Sequence, residues 1–195
     1  MAKRAAPEVN AGSMADIAFL LLIFFLVTTT IETDSGINRK LPPIEDNTEP
    51  PIIKQRNIFT VLINGKNQLM VEEELTELKD LRQAAIDFLD NNADGSCSYC
   101  NGKKEENSSV NPDKAIISLK NERETSYEMY ISVQNELVAA YNELRNRLAK
   151  SRYGKSFIEM QADYKDVNWP GNKEKLKGQI DQIKLDYPMK LSEVQ

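Results

Sequence analysis

The chain has 195 residues, of which 41% are hydrophobic and 28% charged, so it contains one modest globular domain with additional segments. The net charge of −5 argues against a nucleic-acid partner, because phosphate binding needs a basic surface. The absence of histidine removes the commonest general base and the commonest metal ligand, so we expect no enzymatic activity, no cofactor and no metal.

The first predicted element is an apolar helix over residues 11–31, which follows a short N-terminal segment of residues 1–10. The run from Ile17 to Val27 is uninterrupted, and 21 helical residues rising about 1.5 Å each roughly match the hydrocarbon thickness of a bilayer. This pattern predicts a transmembrane helix. A cleavable signal peptide is the main alternative, but no A-x-A pattern follows the apolar run.

The charges that flank this helix predict its orientation. Lys3 and Arg4 precede the helix, whereas the first charges after it are Glu32 and Asp34. Because positive residues stay on the cytoplasmic side, we expect a cytoplasmic N-terminus. In a bacterium, residues 32–195 would then lie in the periplasm and the helix in the inner membrane.

Asp16 is an acidic residue inside the predicted membrane helix. An ionised aspartate at a bilayer centre costs roughly 2.5–3.5 kcal/mol, so such residues are usually functional. No basic residue of the helix is available to pair with it. The alternative is an interfacial aspartate that serves only as an N-terminal helix charge. At 100° per residue, Asp16 shares a helix face with four residues, which form a predicted channel face: Gly12, Ile23, Val27 and Thr30.

The residues after the helix predict a linker followed by a β-hairpin. Four prolines lie within residues 32–56, so we expect an extended tether. Ile58 to Ile63 is rich in β-branched residues and predicts a strand, and Asn64-Gly65 predicts a two-residue turn into a second strand over residues 68–71. Helical spacing then predicts an amphipathic helix through Leu75, Leu78, Leu81, Ala85 and Leu89.

Residues 91–113 form a polar, turn-rich insertion that carries Cys97 and Cys100 in a C-x-x-C pattern. A zinc site would need two further Cys or His ligands, which the chain lacks. The pattern leaves a small loop disulfide or two free thiols, and a periplasmic location favours the disulfide.

The last part of the chain predicts a strand, a long helix and a C-terminal extension. Residues 115–119 predict a buried strand, and a capping box of Thr125 and Glu128 begins a helix that ends near Gly154. The extension, residues 155–195, predicts a short helix over residues 172–184. Residues 189–194 predict an edge strand suited to pairing with a second copy or a client protein.

The membrane segment and the residues after it resemble the ExbD/TolR family. The family pattern Asn-x-x-Pro-x-x-Asp is matched at Asn10 and Asp16, although Ser13 replaces the proline. Phe25 and Thr28 fall at matching places, which adds Thr28 to the channel face. The Leu-Pro pair of the family corresponds to Leu41-Pro42. By analogy the linker of residues 32–56 pairs with a client or locks the motor at rest, and the alternative is a plain spacer.

The resemblance implies an α+β protein, with one transmembrane helix and a periplasmic β-β-α-β-α domain over residues 57–154. It implies that Asp16 carries protons, that this chain is a homodimer, and that a multi-span ExbB/TolQ-like protein, a pentamer, surrounds it. The implied function is a proton-channel or motor subunit that uses the proton motive force to energise a TonB-like protein and outer-membrane transport. A lone carboxylate favours protons over sodium.

Three alternatives remain open at the level of sequence. The chain would be a membrane-anchored periplasmic binding module without ion flux, recruiting peptidoglycan or a partner. A second alternative is a TolR-like or flagellar-stator-like motor subunit, although residues 57–154 have the wrong element order for a stator. The weakest alternative is a secreted disulfide protein released by signal cleavage.

Overall fold

The structure is a computed structural model that describes residues 11–28 and 53–194. The chain divides into two compact units, residues 1–49 and 50–195. The described part of the first unit is helix α1, Ala11–Thr28. The elements of the second unit are β1 (Ile58–Ile63), β2 (Leu69–Val71), β3 (Glu74–Thr76), α2 (Leu78–Leu89), β4 (Ile116–Asn121), α3 (Tyr127–Tyr153), α4 (Phe157–Lys165), α5 (Lys173–Asp186) and β5 (Leu191–Val194).

Helix α1 confirms the predicted helix over its first 18 residues, and residues 29–31 of that prediction lie outside the described part of the chain. Across residues 11–28 and 53–194, the structure contains no helix whose length and apolarity suffice for crossing a membrane. The predicted linker, residues 32–56, is described only from residue 53, where a short 3-10 turn, Gln55–Asn57, leads into β1.

The second unit has the predicted α+β character, with one five-stranded sheet among the described residues, in the order β3-β2-β1-β4-β5. Strand β1 pairs antiparallel with β2 and parallel with β4. The parallel pairing places Ile58 opposite Ile116 and Ile63 opposite Asn121. Buried and less buried residues alternate along both central strands, as expected for a sheet with one face against the core.

The predicted two-residue turn at Asn64-Gly65 is wrong. Five residues, 64–68, separate β1 from β2, and the Asn64 side chain organises them by accepting hydrogen bonds from the backbone N–H groups of Lys66 and Gln68 at 3.0 and 2.8 Å. The two-residue hairpin turn occurs one connection later, at Glu72-Glu73, where φ is 49° and 74°. Positive φ at both positions fits a type I′ turn. Two glutamates are not the residues that normally indicate this type of turn in a sequence.

Strand β3 was not predicted, and the assignment of Leu75 to the following helix is wrong. Leu75 lies in β3 with 71% of its surface exposed, and α2 begins only at Leu78. Its spacing to Leu78 fits a helical repeat by coincidence. The other members of the predicted apolar face are buried or partly buried in α2, as expected for an amphipathic helix.

Helix α3 begins one residue later than the predicted capping box implies. Ser126 is the N-cap, and its side chain accepts a hydrogen bond from the Met129 N–H at 3.3 Å. The hydroxyl of Thr125 instead donates to the carbonyl oxygens of Ile63 and Asn64. The predicted end is confirmed, because Gly154 closes the helix in the left-handed region with φ 72°.

The C-terminal extension contributes to the core of the second unit. Helix α5 and strand β5 confirm the predicted helix and edge strand, and β5 pairs parallel with β4. Helix α4 was missed, although Ser156 and Glu159 form a complete capping box that the sequence displays as S-x-x-E. The extension supplies six buried side chains to the core: Phe157, Met160, Leu176, Ile180, Ile183 and Tyr187.

Candidate functional site

Helix α1 carries its large apolar side chains on all sides of the helix rather than on one stripe. Leu22 is 65% exposed and Phe25 61% exposed, and the same holds for nearly every large side chain from Met14 to Leu26. A helix that is apolar all round is normally covered by other protein or by lipid. The described residues of this chain do not supply that cover.

Asp16 lies on this helix with an exposed side chain. Its side chain makes no hydrogen bond or ion pair with another residue in the described ranges 11–28 and 53–194, and the residues that follow it, Ile17 to Val27, are all apolar. Two residues of the predicted channel face, Gly12 and Ile23, are also exposed. Val27 and Thr28 belong to the same helix, whereas Thr30, Leu41 and Pro42 lie outside the described residues.

Cys97 and Cys100 form a disulfide in the structure, with their Cα atoms 5.6 Å apart. The bond lies in the insertion of residues 91–113, which contains no helix or strand. Hydrogen bonds from asparagine side chains organise this segment instead: the Asn91 amide, for example, donates to the carbonyl oxygens of Glu105 and Ser109. Within the described part of the chain, no cluster of acidic or cysteine side chains is arranged to hold a metal ion.

A polar network at the end of α2 joins the insertion to the C-terminal extension. Asp90, 4% exposed, accepts hydrogen bonds from the Tyr187 hydroxyl at 2.8 Å and from Arg147 at 2.6 Å. Its other oxygen accepts from the backbone N–H of Asn101 at 3.1 Å. Burial, and then the charge of Asp90, raises the pKa of Tyr187 well above the ordinary phenol value. Sequence reasoning missed this network, because its members come from distant segments without a shared motif.

An open cleft of about 610 Å³ lies between the β2–β3 hairpin, helix α2 and the insertion. Burial, and then repulsion by Glu74, raises the pKa of Glu72 at its rim. Asp87, Asp90 and Glu105 add acidic groups to its lining, but Lys103 and Arg147 offset them.

Comparison with known proteins places these features in context. The family model described as "Biopolymer transport protein ExbD/TolR" matches residues 2–149, which includes α1, Asp16 and the unit through most of α3. The extension after residue 149 lies outside the match.

A relative in Vibrio cholerae serotype O1, "Biopolymer transport protein exbD2", is 29% identical over 87 residues. The aligned region covers 45% of this chain and 61% of the relative, so the chain spans about three fifths of the relative's length. Since the family model covers well over half of the sequence, the chain belongs to the ExbD/TolR family of biopolymer transport proteins.

Proposed function

We propose that this chain is a proton-carrying motor subunit that uses the proton motive force across the bacterial inner membrane to energise a TonB-like protein. The observation that carries the proposal is Asp16, an acid without a partner among the described residues on a helix whose other large side chains are apolar and exposed. Membership of a family of biopolymer transport proteins supports an energising role in transport.

The proposed anchor is residues 11–31, with the N-terminus in the cytoplasm. The described helix accounts for 18 of these residues, and the sequence continues as Thr29, Thr30 and Ile31 without a charge. At about 1.5 Å per residue, 21 helical residues are about as long as the roughly 30 Å hydrocarbon core. The positive residues at positions 3 and 4 support this orientation.

In the proposed cycle, Asp16 takes a proton that enters from the periplasmic side and becomes neutral. A neutral carboxyl group passes an apolar barrier at much lower cost than a carboxylate. It then releases the proton towards the cytoplasm and is held again as a charged group by the partner. One elementary charge that crosses 100 mV provides about 2.3 kcal/mol, which is enough to bias such a step.

The proposed partners follow from the uncovered surface of α1. A multi-span ExbB/TolQ-like protein, arranged as a pentamer around a dimer of this chain, would cover the apolar surface and place Asp16 against a protein path. Gly12, on the same helix face as Asp16, allows close approach of a neighbouring helix. The proposed periplasmic unit would transmit the motion to the client, in part through Leu41 and Pro42.

The central experiment is the substitution Asp16→Asn, which keeps the size and hydrogen-bonding capacity of the side chain but removes its titration. We expect it to abolish energised outer-membrane transport in cells that depend on this chain, while the protein accumulates normally. Asp16→Glu, which retains a carboxyl group, should restore part of the activity. Transport at the wild-type rate in the Asp16→Asn variant would refute the proposed mechanism.

A matched control separates titration from polarity. Ala18 lies about 200° around the helix from Asp16, at similar depth, so Ala18→Asn adds the same amide to the opposite side. We expect this variant to transport at close to the wild-type rate. Equal loss in both variants would mean that any added amide disrupts the helix, and the role assigned to Asp16 would then have no support.

Mild detergent extraction tests the partner arrangement separately. The motor proposal requires a multi-span protein that co-purifies in molar excess over this chain, and native mass spectrometry measures that ratio. Purification as a dimer without any multi-span protein would favour a membrane-anchored binding module instead.

A further inference from the structure

We infer that the Cys97–Cys100 disulfide is a redox-sensitive latch that, through Tyr99, holds the C-terminal strand β5 in the sheet. The bond closes a small ring that contains Ser98 and Tyr99. Both cysteines are partly exposed, which favours access of a small dithiol reductant to the disulfide. The inference does not depend on the proton-carrying role of Asp16.

Tyr99 connects the disulfide ring to the end of helix α5. Its hydroxyl donates to the carbonyl oxygen of Asp186 at 2.7 Å, and its ring meets the Tyr187 ring edge-on with centroids 5.2 Å apart. The Arg152 guanidinium lies 5.4 Å from the Tyr99 ring centroid and also pairs with Asp186. Three kinds of contact therefore converge on a residue that lies inside the ring closed by the disulfide.

Asp90 connects the segment just after the disulfide to Tyr187 as well. Asn101 donates its backbone N–H to the Asp90 carboxylate, and the Gly102 N–H donates to the Asp90 carbonyl oxygen at 3.0 Å. A methyl group on Gly102 would clash with the backbone of Asp90 and Asn91, so this close approach requires glycine. The Asp90 carboxylate in turn accepts the hydrogen bond from Tyr187.

The position of Tyr187 determines where strand β5 begins. Tyr187 is fully buried, its carbonyl oxygen accepts two hydrogen bonds from Arg145, and residues 188–190 alone connect it to β5. Further along the chain, the Ile117 N–H donates a backbone hydrogen bond to the Lys190 carbonyl oxygen at 2.9 Å. Loosening the contacts of Tyr99 with Asp186 and Tyr187 therefore weakens the attachment of β5 to β4.

The chemistry of the latch is thiol–disulfide exchange with a dithiol reductant. A thiolate of the reductant attacks one sulfur and forms a mixed disulfide, and its second thiolate then displaces the protein sulfur. Two electrons and two protons end on Cys97 and Cys100 as thiols, while the reductant becomes a cyclic disulfide. In an oxidising compartment the ring stays closed, and reduction frees the backbone around Tyr99.

Hydrogen–deuterium exchange on the full-length chain in mild detergent tests the latch, with and without dithiothreitol. We expect reduction to accelerate exchange of the backbone amides in β5 by about tenfold, with little change in helix α2. The Cys97→Ser/Cys100→Ser double variant should show the accelerated rate without reductant and no response to it. This variant serves as the control for non-specific effects of dithiothreitol.

The variant Tyr99→Phe tests the route of the coupling while the disulfide remains intact. It removes the hydrogen bond to Asp186, so β5 should exchange faster than in the wild type under oxidising conditions. Three results would overturn the inference: acceleration confined to residues 93–106, equal acceleration throughout the folded unit, or no effect of Tyr99→Phe on β5.

Discussion

Helix α1 and helix α3 differ in whether residues of this chain bury their apolar side chains. Leu22 of α1 is 65% exposed, whereas Leu137 of α3 is completely buried among residues of the same chain. The second unit thus supplies its own core from β1, β4 and helices α2 to α5, and the described part of the first unit does not. Contacts within the chain therefore stabilise the second unit, whereas the exposed side chains of α1 add nothing to that core.

The largest effect that would test this comparison comes from removing one leucine from each region. Leu137→Ala should lower the free energy of unfolding of the second unit by about 2–5 kcal/mol, because it leaves a cavity in a closed core. Leu22→Ala should leave that free energy unchanged. Denaturant unfolding in detergent, followed by the fluorescence of the single tryptophan, Trp169, measures both. A similar loss in the two variants would contradict the comparison.

A second, smaller effect concerns pH and the buried hydroxyl of Tyr141. Burial raises the pKa of Tyr141 from 10.0 to about 12. As the pH rises, Tyr141 loses its hydroxyl proton at a lower pH in the unfolded chain than in the folded chain. The free energy of unfolding therefore keeps its full value below pH 10.0 and falls by an amount on the order of 2–3 kcal/mol as the pH rises towards 12.

Tyr141→Phe checks this effect directly. The variant should show a shallower loss of the free energy of unfolding with rising pH than the wild type, and one phenol fewer in the late part of an absorbance titration. The remaining slope belongs to Tyr99 and Tyr187, whose pKa values are also raised by burial. An unchanged slope would mean that Tyr141 ionises as readily in the folded as in the unfolded chain.

A third effect distinguishes the observed cap of α3 from the predicted one. Ser126→Ala should cost about 1 kcal/mol, because it removes the acceptor for the Met129 N–H at the start of the helix. Ser151→Ala, at an exposed position in the last turn of the same helix, should cost nothing. Thermal unfolding of both variants provides the measurement, and equal costs would argue against the cap.

The smallest expected effect is that of the ion pair between α2 and α3. Arg82 Nε lies 2.7 Å from Glu136 Oε2, but both side chains reach solvent. A double-mutant cycle with Arg82→Gln and Glu136→Gln should give a coupling energy of about 0.2–1 kcal/mol that shrinks with added salt. A coupling energy much larger than this, or one insensitive to salt, would show that the ion pair contributes more to stability than its exposure indicates.

Sequence patterns predicted most regular elements of the second unit, because each of those elements carries a local signal. Gly154 ends α3 because only glycine adopts its φ without strain, and Asn172 begins α5 with a cap to the Lys175 N–H. The capping box of Ser156 and Glu159 is an equally local signal for the start of α4.

The errors at the hairpins have a different physical origin. Asn64-Gly65 carries a strong local preference, but the side chain of Asn64 stabilises a longer loop and shifts the two-residue turn to Glu72-Glu73. The choice among these turns depends on the pairing of β1 with β2 and of β2 with β3, which acts across strands. The Asp90 network could not be predicted either, since tertiary packing alone brings Arg147 and Tyr187 to it.

The parallel pairing of β1 with β4 has a consequence for the order of folding. Only a short loop separates β1 from β2, with which it pairs antiparallel. Its parallel partner β4 lies beyond α2 and the whole insertion in the chain. Nearby contacts form before distant ones, so the hairpin region should become protected early and the β1–β4 ladder late. Loop-closure entropy grows only with the logarithm of length, so lengthening or shortening the insertion should slow or speed this late step only slightly.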